Sequence, residues 1–338
     1  MRGRGSLLVM PVVLAMTPPV AAADLLIVLN KSGHEAVLVD PATLEIVKRL
    51  PTGTGPHEAA VAPDGRTAYV ANYGAYRLFR EGEQPTLVRG HTLSVVDLVK
   101  REVTDTLDLG EFLMPHGIWV SGDGTKLWVT SEATQTVLEV DLATGRIANQ
   151  WKTGQEVSHM LVPAPDESKL YVANIGSGSC TIIDRMSGEV TTVETGKGAE
   201  GIDVSPDGGE VWVTNRAAGT ISVIDAKVNR VVETLEAGGE FPIRAKFTPD
   251  GREVWVSCMR SHAVHVFDAK TRKIVAKVAV KENPIGIQMS PDGAQAFIAS
   301  TNANHITVVD VNKREVTGGF SPGEEPDGMA WAQTPKGR

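Results

Sequence analysis

Short apolar stretches rich in β-branched residues alternate with turn signals along the chain from Asp24 to about Gln333. One copy of this pattern occupies 198–235 and contains the stretches GIDV, VWVTN, TISVID and RVVETL. In the turn Ser-Pro-Asp-Gly, proline presets one dihedral, aspartate bonds its own backbone and glycine accepts a positive φ. A unit of four short strands that recurs about every forty residues is typical of an all-β repeat protein.

Seven copies of the unit fit the chain. The first begins near Leu25 with the pattern of a second strand, and the last stretch, 327–332, has the pattern of a first strand. We therefore expect the C-terminal strand to complete the blade that begins at Leu25, which removes the open strand edges. The prediction is an all-β fold, a single seven-bladed β-propeller of four-stranded blades over residues 24–338.

The strand and turn sequences also carry a family resemblance. YVAN at 69–72 and 171–174, together with SPDG at 205–208 and 290–293, resembles the YVTN repeat of exported, YncE-like β-propellers. The resemblance extends from Asp24 to about Gln333. It implies a periplasmic protein that binds or scaffolds a metal, a tetrapyrrole or a protein partner, and because propellers host many functions it fixes no activity.

Residues 1–23 do not follow the repeat. Arg2 and Arg4 precede an apolar run at 7–16, and small alanines at 21–23 follow a Thr-Pro-Pro break. This order predicts a cleaved secretory signal peptide, with a mature chain that begins at about Asp24 and is periplasmic or secreted. The apolar run is too short to span a membrane, so no membrane span is expected.

The net charge limits the classes of binding partner to expect, and the cysteine positions bear on disulfide pairing. Without Arg2 and Arg4 the chain has 31 basic and 41 acidic residues, a formal charge of −10. A nucleic-acid partner is therefore not expected, because phosphate backbones select for basic surfaces. We expect a small molecule or a periplasmic protein instead. Cys180 and Cys258 occupy different positions within the unit and are predicted to be unpaired.

Comparison of the seven copies identifies one equivalent position, the ring slot, at the start of each first strand. In a propeller these strands line the central channel, so the slot lies at one channel mouth. The first five members of the ring are polar and the last two are apolar. In ring order the slot holds Asp327, His57, His116, His159, Glu200, Ile243 and Ile285.

Three imidazoles and a carboxylate at one mouth suit a divalent transition metal such as Zn, Cu or Fe. We predict His57, His116, His159 and Glu200 as its ligands. The alternative is a water-filled mouth in which the histidines only form hydrogen bonds, or another bound ligand.

Two functions are compatible with such a site. The first is a metal-dependent hydrolase or lyase acting on a small molecule, with Glu200 as ligand or general base, Arg244 binding an anionic group, and Asp327 assisting. PHGI at 115–118 resembles strand starts of streptogramin-lyase-type propellers, and only His116 carries over from that resemblance. The second is a non-enzymatic YncE-like binding protein for a metal, a tetrapyrrole or a protein partner.

Other features lie near the same face. If strand alternation holds at the strand starts, Glu58 and Arg244, one position beyond the slot, point away from the channel; an irregular strand start would break this alternation, and Arg244 binds an anionic group only if it reaches the channel. The segment 73–90 is longer than its counterparts, and is either a lid over the mouth or a tolerated surface insertion. Four further histidines fall at the links between second and third strands, where they either orient ligands or contact substrate, or are ordinary loop residues rather than direct ligands: His34, His91, His262 and His305.

Overall fold

A computed structural model describes residues 24–77 and 86–334. Over these ranges the chain forms seven four-stranded antiparallel sheets and one short 3₁₀ turn, Met259–Ser261. The predicted fold, an all-β seven-bladed propeller, is confirmed. The predicted signal peptide at 1–23 lies outside the described residues.

The strands follow one another blade by blade, and each of blades 2 to 7 takes four consecutive strands. In chain order they are β1 (Asp24–Asn30), β2 (Glu35–Val39), β3 (Ile46–Pro51), β4 (Pro56–Val61), β5 (Thr67–Arg77), β6 (Thr86–Asp97), β7 (Glu102–Asp108), β8 (Pro115–Val120), β9 (Lys126–Ser131), β10 (Thr136–Asp141), β11 (Arg146–Lys152), β12 (Ser158–Pro163), β13 (Lys169–Asn174), β14 (Ser179–Asp184), β15 (Val190–Glu194), β16 (Ala199–Val204), β17 (Glu210–Asn215), β18 (Thr220–Asp225), β19 (Arg230–Glu236), β20 (Pro242–Phe247), β21 (Glu253–Cys258), β22 (Ala263–Asp268), β23 (Ile274–Ala279), β24 (Pro284–Met289), β25 (Gln295–Ser300), β26 (His305–Asp310), β27 (Glu315–Phe320) and β28 (Pro326–Gln333).

Blade 1 closes the ring with strands from both ends of the described chain. Its order is β28-β1-β2-β3, and Trp331 of β28 pairs with Leu26 of β1. The innermost strands contact one another in the cycle β28, β4, β8, β12, β16, β20, β24 and back to β28. The expected pairing of the last strand with the first blade is therefore confirmed.

The apolar core lies between neighbouring blades. Trp128 on β9, Trp212 on β17 and Trp255 on β21 occupy equivalent second-strand positions and are fully buried. Trp128, for example, packs with Leu161 and Val172 of the next blade. Full burial of a large apolar side chain stabilises a fold by roughly 1.5–3 kcal/mol, so these layers hold the blades against each other.

Every inner strand begins with an irregular turn. The residue two positions before the ring slot has a positive φ in all seven blades, and its carbonyl oxygen accepts a hydrogen bond from the residue that follows the second strand. In Val157, for example, φ is 56°, and the Val157 carbonyl accepts from the Ile175 amide. The strand register shifts immediately afterwards. This repeated bulge sets the direction of the side chains at the channel mouth.

The long segment of blade 2 is a β-hairpin where it is described. Strands β5 and β6 continue their ladder past Asn72, with Gly74 opposite Arg89 and Arg77 opposite Thr86. The tip, 78–85, lies outside the described residues, so the prediction of a lid falls on residues that the structure does not describe.

The two cysteines are buried and free, as predicted. Among the described residues, no helix has the length and apolar character needed to cross a membrane.

Candidate functional site

The ring slot predicted from the repeats lines a single cavity of about 390 Å³ at one mouth of the channel. The polar arc faces the apolar side chains Ile243 and Ile285 across it. The five predicted polar residues that line it are Asp327, His57, His116, His159 and Glu200.

A second ring, which the sequence prediction missed, surrounds the first. It consists of one equivalent residue in each blade, just after the second strand or, for Tyr73, within it. The backbone amide of this residue donates a hydrogen bond to the carbonyl oxygen of the positive-φ residue. Four of its members line the cavity, and two more contact the ring histidines. In ring order the second ring is Lys31, Tyr73, Glu132, Ile175, Arg216, Met259 and Thr301. Because these residues also occupy one repeated slot, a second comparison of the copies identifies them.

His57 is oriented by its own turn. Its Nδ1 lies 2.8 Å from the Gly55 carbonyl oxygen, and its ring centroid lies 4.5 Å from that of Tyr73. A carbonyl oxygen can only accept, so Nδ1 carries the proton and Nε2 of the neutral ring has the free lone pair. Burial lowers the pKa of His57. The ring is therefore held neutral, with one nitrogen available as a ligand.

His116 is the most deeply buried of the three ring histidines, with 4% of its surface exposed. Its ring lies 3.7 Å from the His159 ring, at an interplanar angle of 32°. Burial, followed by the nearby charge of His159, holds the pKa of His116 well below its usual value. Its buried Nδ1 has no hydrogen-bond partner among the described residues. A buried polar atom without a partner is costly, so the position of His116 carries an energetic penalty in this structure.

His159 is held by a carboxylate. Its Nδ1 lies 2.5 Å from Glu132 Oε1, and the Tyr73 hydroxyl donates to Glu132 Oε2 at 2.6 Å. Burial disfavours the charged imidazolium, but the charge and hydrogen bond of Glu132, together with Glu200, outweigh it and raise the pKa of His159. The arc thus contains two neutral imidazoles and one that favours the proton.

The carboxylates of the arc are paired with cations of the second ring. Arg216 Nη1 lies 2.7 Å from Glu200 Oε2, and Lys31 Nζ lies 3.1 Å from Asp327 Oδ2. Burial raises the pKa of Glu200, against the opposing charges of His159 and Arg216. For Asp327, burial is outweighed by the charges of Lys31 and Arg244 and by the hydrogen bond from Lys31, so its pKa is lowered. Both cations remain partly exposed, at 33% for Arg216 and 23% for Lys31.

A buried ion pair forms the floor of the cavity and corrects one prediction. Arg244 Nη2 lies 2.5 Å from Glu58 Oε1 across the channel, and Arg244 Nη1 lies 3.1 Å from Met160 Sδ. The expectation that Glu58 and Arg244 point away from the channel is wrong, because the bulge at the strand start interrupts the alternation. Four of the other blades have glycine at this position. A Cβ at Gly328, for instance, would collide with the His57 carbonyl oxygen.

The metal ligands predicted from the sequence overlap only in part with the group that the structure brings together. Among the described residues, His116, Glu132 and His159 offer ligand atoms that all lie within 4.8 Å of one another. His159 Nε2 also lies 3.7 Å from Glu200 Oε1, and the His116 and His159 rings are tilted by 32° to each other. The set of His57, His116, His159 and Glu200 stays a prediction.

The remaining predicted histidines lie outside this cavity. His34 accepts a hydrogen bond at Nδ1 from the Gly55 amide, and exposed His91 lies 2.9 Å from Asp108. His262 and His305 line a separate depression. None of the four is among the described residues that line the channel-mouth cavity. Of the four, His34 is connected through Gly55 to a ring histidine.

Comparison with known proteins supports the fold. A family model, the cytochrome D1 heme domain, matches residues 208–318. A chain of Kuenenia stuttgartiensis hydrazine synthase is 21% identical with a TM-score of 0.70, covering 84% of this chain and 91% of its own. Dihydro-heme d1 dehydrogenase NirN in complex with DHE is 16% identical with a TM-score of 0.63, covering 95% of this chain and 78% of its own. No curated protein matches the sequence significantly. At these identities the solved structures support the seven-bladed propeller alone.

Proposed function

We propose that this chain is an exported, YncE-like β-propeller that binds a tetrapyrrole in the channel-mouth cavity, where His57 would hold its metal. The observation that carries the proposal is the His57 ring, which is neutral, oriented through Nδ1 and free at Nε2. The match to the cytochrome D1 heme domain and the similarity to dihydro-heme d1 dehydrogenase NirN suggest the ligand class. The binding function is thus better supported than the enzymatic one.

The donor set fits a haem-type group. Histidine is a common axial ligand, and a ligating ring usually donates its other nitrogen to a carbonyl or carboxylate, as His57 does to Gly55. Across the cavity, Ile243 and Ile285 offer an apolar surface, and the volume of about 390 Å³ falls in the range of small-molecule sites. The residues present therefore fit the group.

The cations of the second ring complete the binding site in this proposal. Tetrapyrroles carry carboxylate side chains, and the partly exposed cations Arg216 and Lys31 line the cavity. Glu200 and Asp327 keep both cations in place before a ligand arrives. When bound, the iron of a haem-type group supplies redox chemistry. Beside it, His159 holds a proton at the cavity wall, and Glu132 fixes the orientation of that ring.

A metal-dependent hydrolase or lyase is the second candidate function. The observation that favours it is the group of His116, Glu132 and His159, two imidazoles and a carboxylate. Three protein ligands with an open position are typical of a catalytic metal. This function uses His116 and His159 together, whereas the tetrapyrrole proposal uses His57.

Optical titration of the purified protein, expressed without its first 23 residues, tests the proposal. Ferric haem d1 and ferric protoporphyrin are the probes, and saturable binding with a shift of the main absorption band is expected. The variant His57→Ala should weaken binding by at least about tenfold, since loss of even an outer partner of a ligand costs about that much. The matched control is His91→Ala, on the same face but exposed and outside the cavity, which should bind like the parent.

Two results would count against the tetrapyrrole. One is the absence of saturable binding for both probes, and the other is equal affinity of the His57→Ala and parent proteins. The second candidate gives a different pattern, namely one equivalent of Zn²⁺ or Co²⁺ bound without any tetrapyrrole. That binding would be lost in Glu132→Gln and kept in His57→Ala.

A further inference from the structure

A second cavity of about 480 Å³ occupies the opposite end of the channel. It is built by the residue three positions after the ring slot in each blade, at the end of each inner strand. All seven of these residues line it. Four of them are apolar, including Trp119 on β8, and the polar ones are Asp203, Lys246 and Gln288. The repeat therefore builds a second, chemically different cavity from another equivalent position.

Trp119 is the aromatic side chain that this cavity presents to a ligand. It lies on an inner strand, yet 38% of its surface is exposed. It lines both the cavity and an adjoining funnel of about 390 Å³, whose wall includes the turn prolines Pro165, Pro206 and Pro249. An accessible indole attracts apolar groups through burial and cations through the negative charge of its ring face. The charges around Trp119 decide between these two classes of ligand.

The charged side chains that line the cavity leave one negative charge in excess. They comprise three carboxylates and two cations. Arg244 pairs with Glu58 at the deep end, and Lys246 Nζ lies 3.3 Å from Asp203 Oδ1. The third carboxylate, Glu167, forms no ion pair with the residues that the structure describes. Both cations of the cavity are therefore already neutralised, and one carboxylate is not.

A hydrogen bond between blades fixes the Glu167 carboxylate at the mouth. Glu167 lies in the turn between β12 and β13, and its Oε1 accepts a hydrogen bond from the Gly122 amide at 2.5 Å. Gly122 lies just after β8, the strand that carries Trp119, and Glu167 lines the cavity and the funnel as Trp119 does. Arg185 donates to the backbone carbonyl oxygen of Glu167, but its guanidinium pairs with Glu139.

The second carboxylate oxygen of Glu167 remains for a ligand. No donor among the described residues forms a hydrogen bond with Glu167 Oε2. An anionic ligand would meet this unpaired carboxylate and would have to break one of the two ion pairs to reach a cation, which is costly in a partly buried site. A cationic ligand instead neutralises the excess charge and leaves both pairs intact.

We propose that the second cavity binds an organic cation, a protonated amine with an apolar body, whose ammonium group lies between the Glu167 carboxylate and the Trp119 ring. The body is buried against the apolar residues of the cavity wall and supplies most of the affinity. The ion pair and the cation–π contact each add a few-fold in affinity at a partly exposed site, and together they select for positive charge. This ligand is independent of the tetrapyrrole proposed for the first cavity.

Three probes that share a phenyl ring and a two-carbon chain test this proposal: phenethylammonium, 2-phenylethanol and 3-phenylpropanoate. Isothermal titration calorimetry at pH 7 and low salt should rank the ammonium first, tighter than the alcohol by about five- to thirtyfold, with the carboxylate weakest. Addition of 0.5 M sodium chloride should reduce the preference for the ammonium over the alcohol, because salt screens a partly exposed ion pair. In ¹H–¹⁵N spectra the ammonium should move the indole N–H resonance of Trp119, which the Trp119→Phe variant identifies by its disappearance.

Matched variants separate the two contacts. Glu167→Gln keeps an acceptor for the Gly122 amide and removes the charge, so it should lower the preference for the ammonium over the alcohol by about threefold or more. Trp119→Leu keeps an apolar side chain and removes the ring face, so it should weaken the ammonium more than the alcohol. The control is Glu189→Gln, in the exposed turn between β14 and β15 at the same end of the same blade as Glu167, which should leave the ranking unchanged. Equal melting temperatures of the variants and the parent show that the fold is kept.

Four results would overturn the proposal. They are binding of 3-phenylpropanoate as tight as that of the ammonium, an unchanged preference in Glu167→Gln, a Trp119 resonance that does not move, and no binding of any probe. Equal affinity for the ammonium and the alcohol would also contradict it, because it would assign an uncharged ligand to the cavity. His57 does not line this cavity, so the effect of His57→Ala on haem binding and the ranking of the three probes are read independently.

Discussion

The buried ion pair between Glu58 and Arg244 lies between the channel-mouth cavity and a second cavity of about 480 Å³ at the other end of the channel, and its two members are not equivalent. Their side chains are only 10% and 11% exposed. Arg244 also faces the carboxylates of Asp327 and Glu200, which together with Glu58 raise its pKa against the effect of burial. For Glu58, the further positive charge that acts on it is His159, and burial raises its pKa. Loss of Arg244 should therefore cost more than loss of Glu58.

The expected magnitudes follow from this asymmetry. Arg244→Met leaves an uncompensated buried carboxylate, which costs about 3–5 kcal/mol of unfolding free energy. Glu58→Gln leaves Arg244 with two other carboxylates nearby, so we expect about 2–3 kcal/mol. The double variant should cost about 1–3 kcal/mol less than the sum of the two, because it removes both charges. At roughly 1.5 °C per kcal/mol for a domain of about 300 residues, Arg244→Met lowers the melting temperature by about 5–7 °C.

Equilibrium unfolding in urea at pH 7, followed by circular dichroism, measures these values. The control is Arg252→Met, which breaks an exposed pair with Asp250 and should change the unfolding free energy by less than about 1 kcal/mol. The proposed asymmetry is refuted if Arg244→Met costs no more than Glu58→Gln. Additive single effects in the double variant would also refute it, because they would mean that the pair is not coupled.

Two further predictions concern the first cavity and its turns. The folded-state pKa of His116 lies well below its usual value, so the unfolded chain binds this proton first and stability falls as the pH drops below about 6.5. His116→Gln should reduce that slope by up to about 1.4 kcal/mol per pH unit, measured by urea unfolding between pH 8 and 5, and an unchanged slope would contradict the assignment. Val157→Gly should raise stability by about 1 kcal/mol, because a β-branched residue at a φ of 56° is strained. Thr191→Gly, at an exposed β-branched residue of the regularly paired strand β15, should instead lower it, and a loss in both would show that Val157 is not strained.

The fold was predictable because it is repeated. Each blade carries the same turn and strand signals, and the position of 327–332 at the end of the chain required closure onto Leu25. The slot that begins each inner strand was predictable for the same reason, and it brings His57, His116 and His159 to one cavity. These residues could be identified because the equivalent positions in two other blades hold isoleucine.

Side-chain direction was not predictable in the same way. Period-two alternation assigns Glu58 and Arg244 to the outside of the channel, but the positive φ two residues before the slot creates a bulge that turns them inward. Alternation applies to regular strands, and the start of an inner strand is not regular. The contribution of Glu132 was missed because it comes from the neighbouring blade, and contacts between blades depend on packing.

The bulge at the start of each inner strand arranges the side chains of the channel in three tiers. The ring-slot residue of each blade faces the first cavity. The next residue forms the middle tier, either with a side chain or as a glycine, and the residue two positions further faces the second cavity. In the middle tier only Glu58, Met160 and Arg244 carry side chains, while glycine in the other four blades lets the inner strands approach closely. A buried pair of this kind contributes little stability over apolar packing, although loss of either partner alone is costly. The Glu58–Arg244 pair lies between the two mouths of the channel, since Arg244 and Met160 line both cavities.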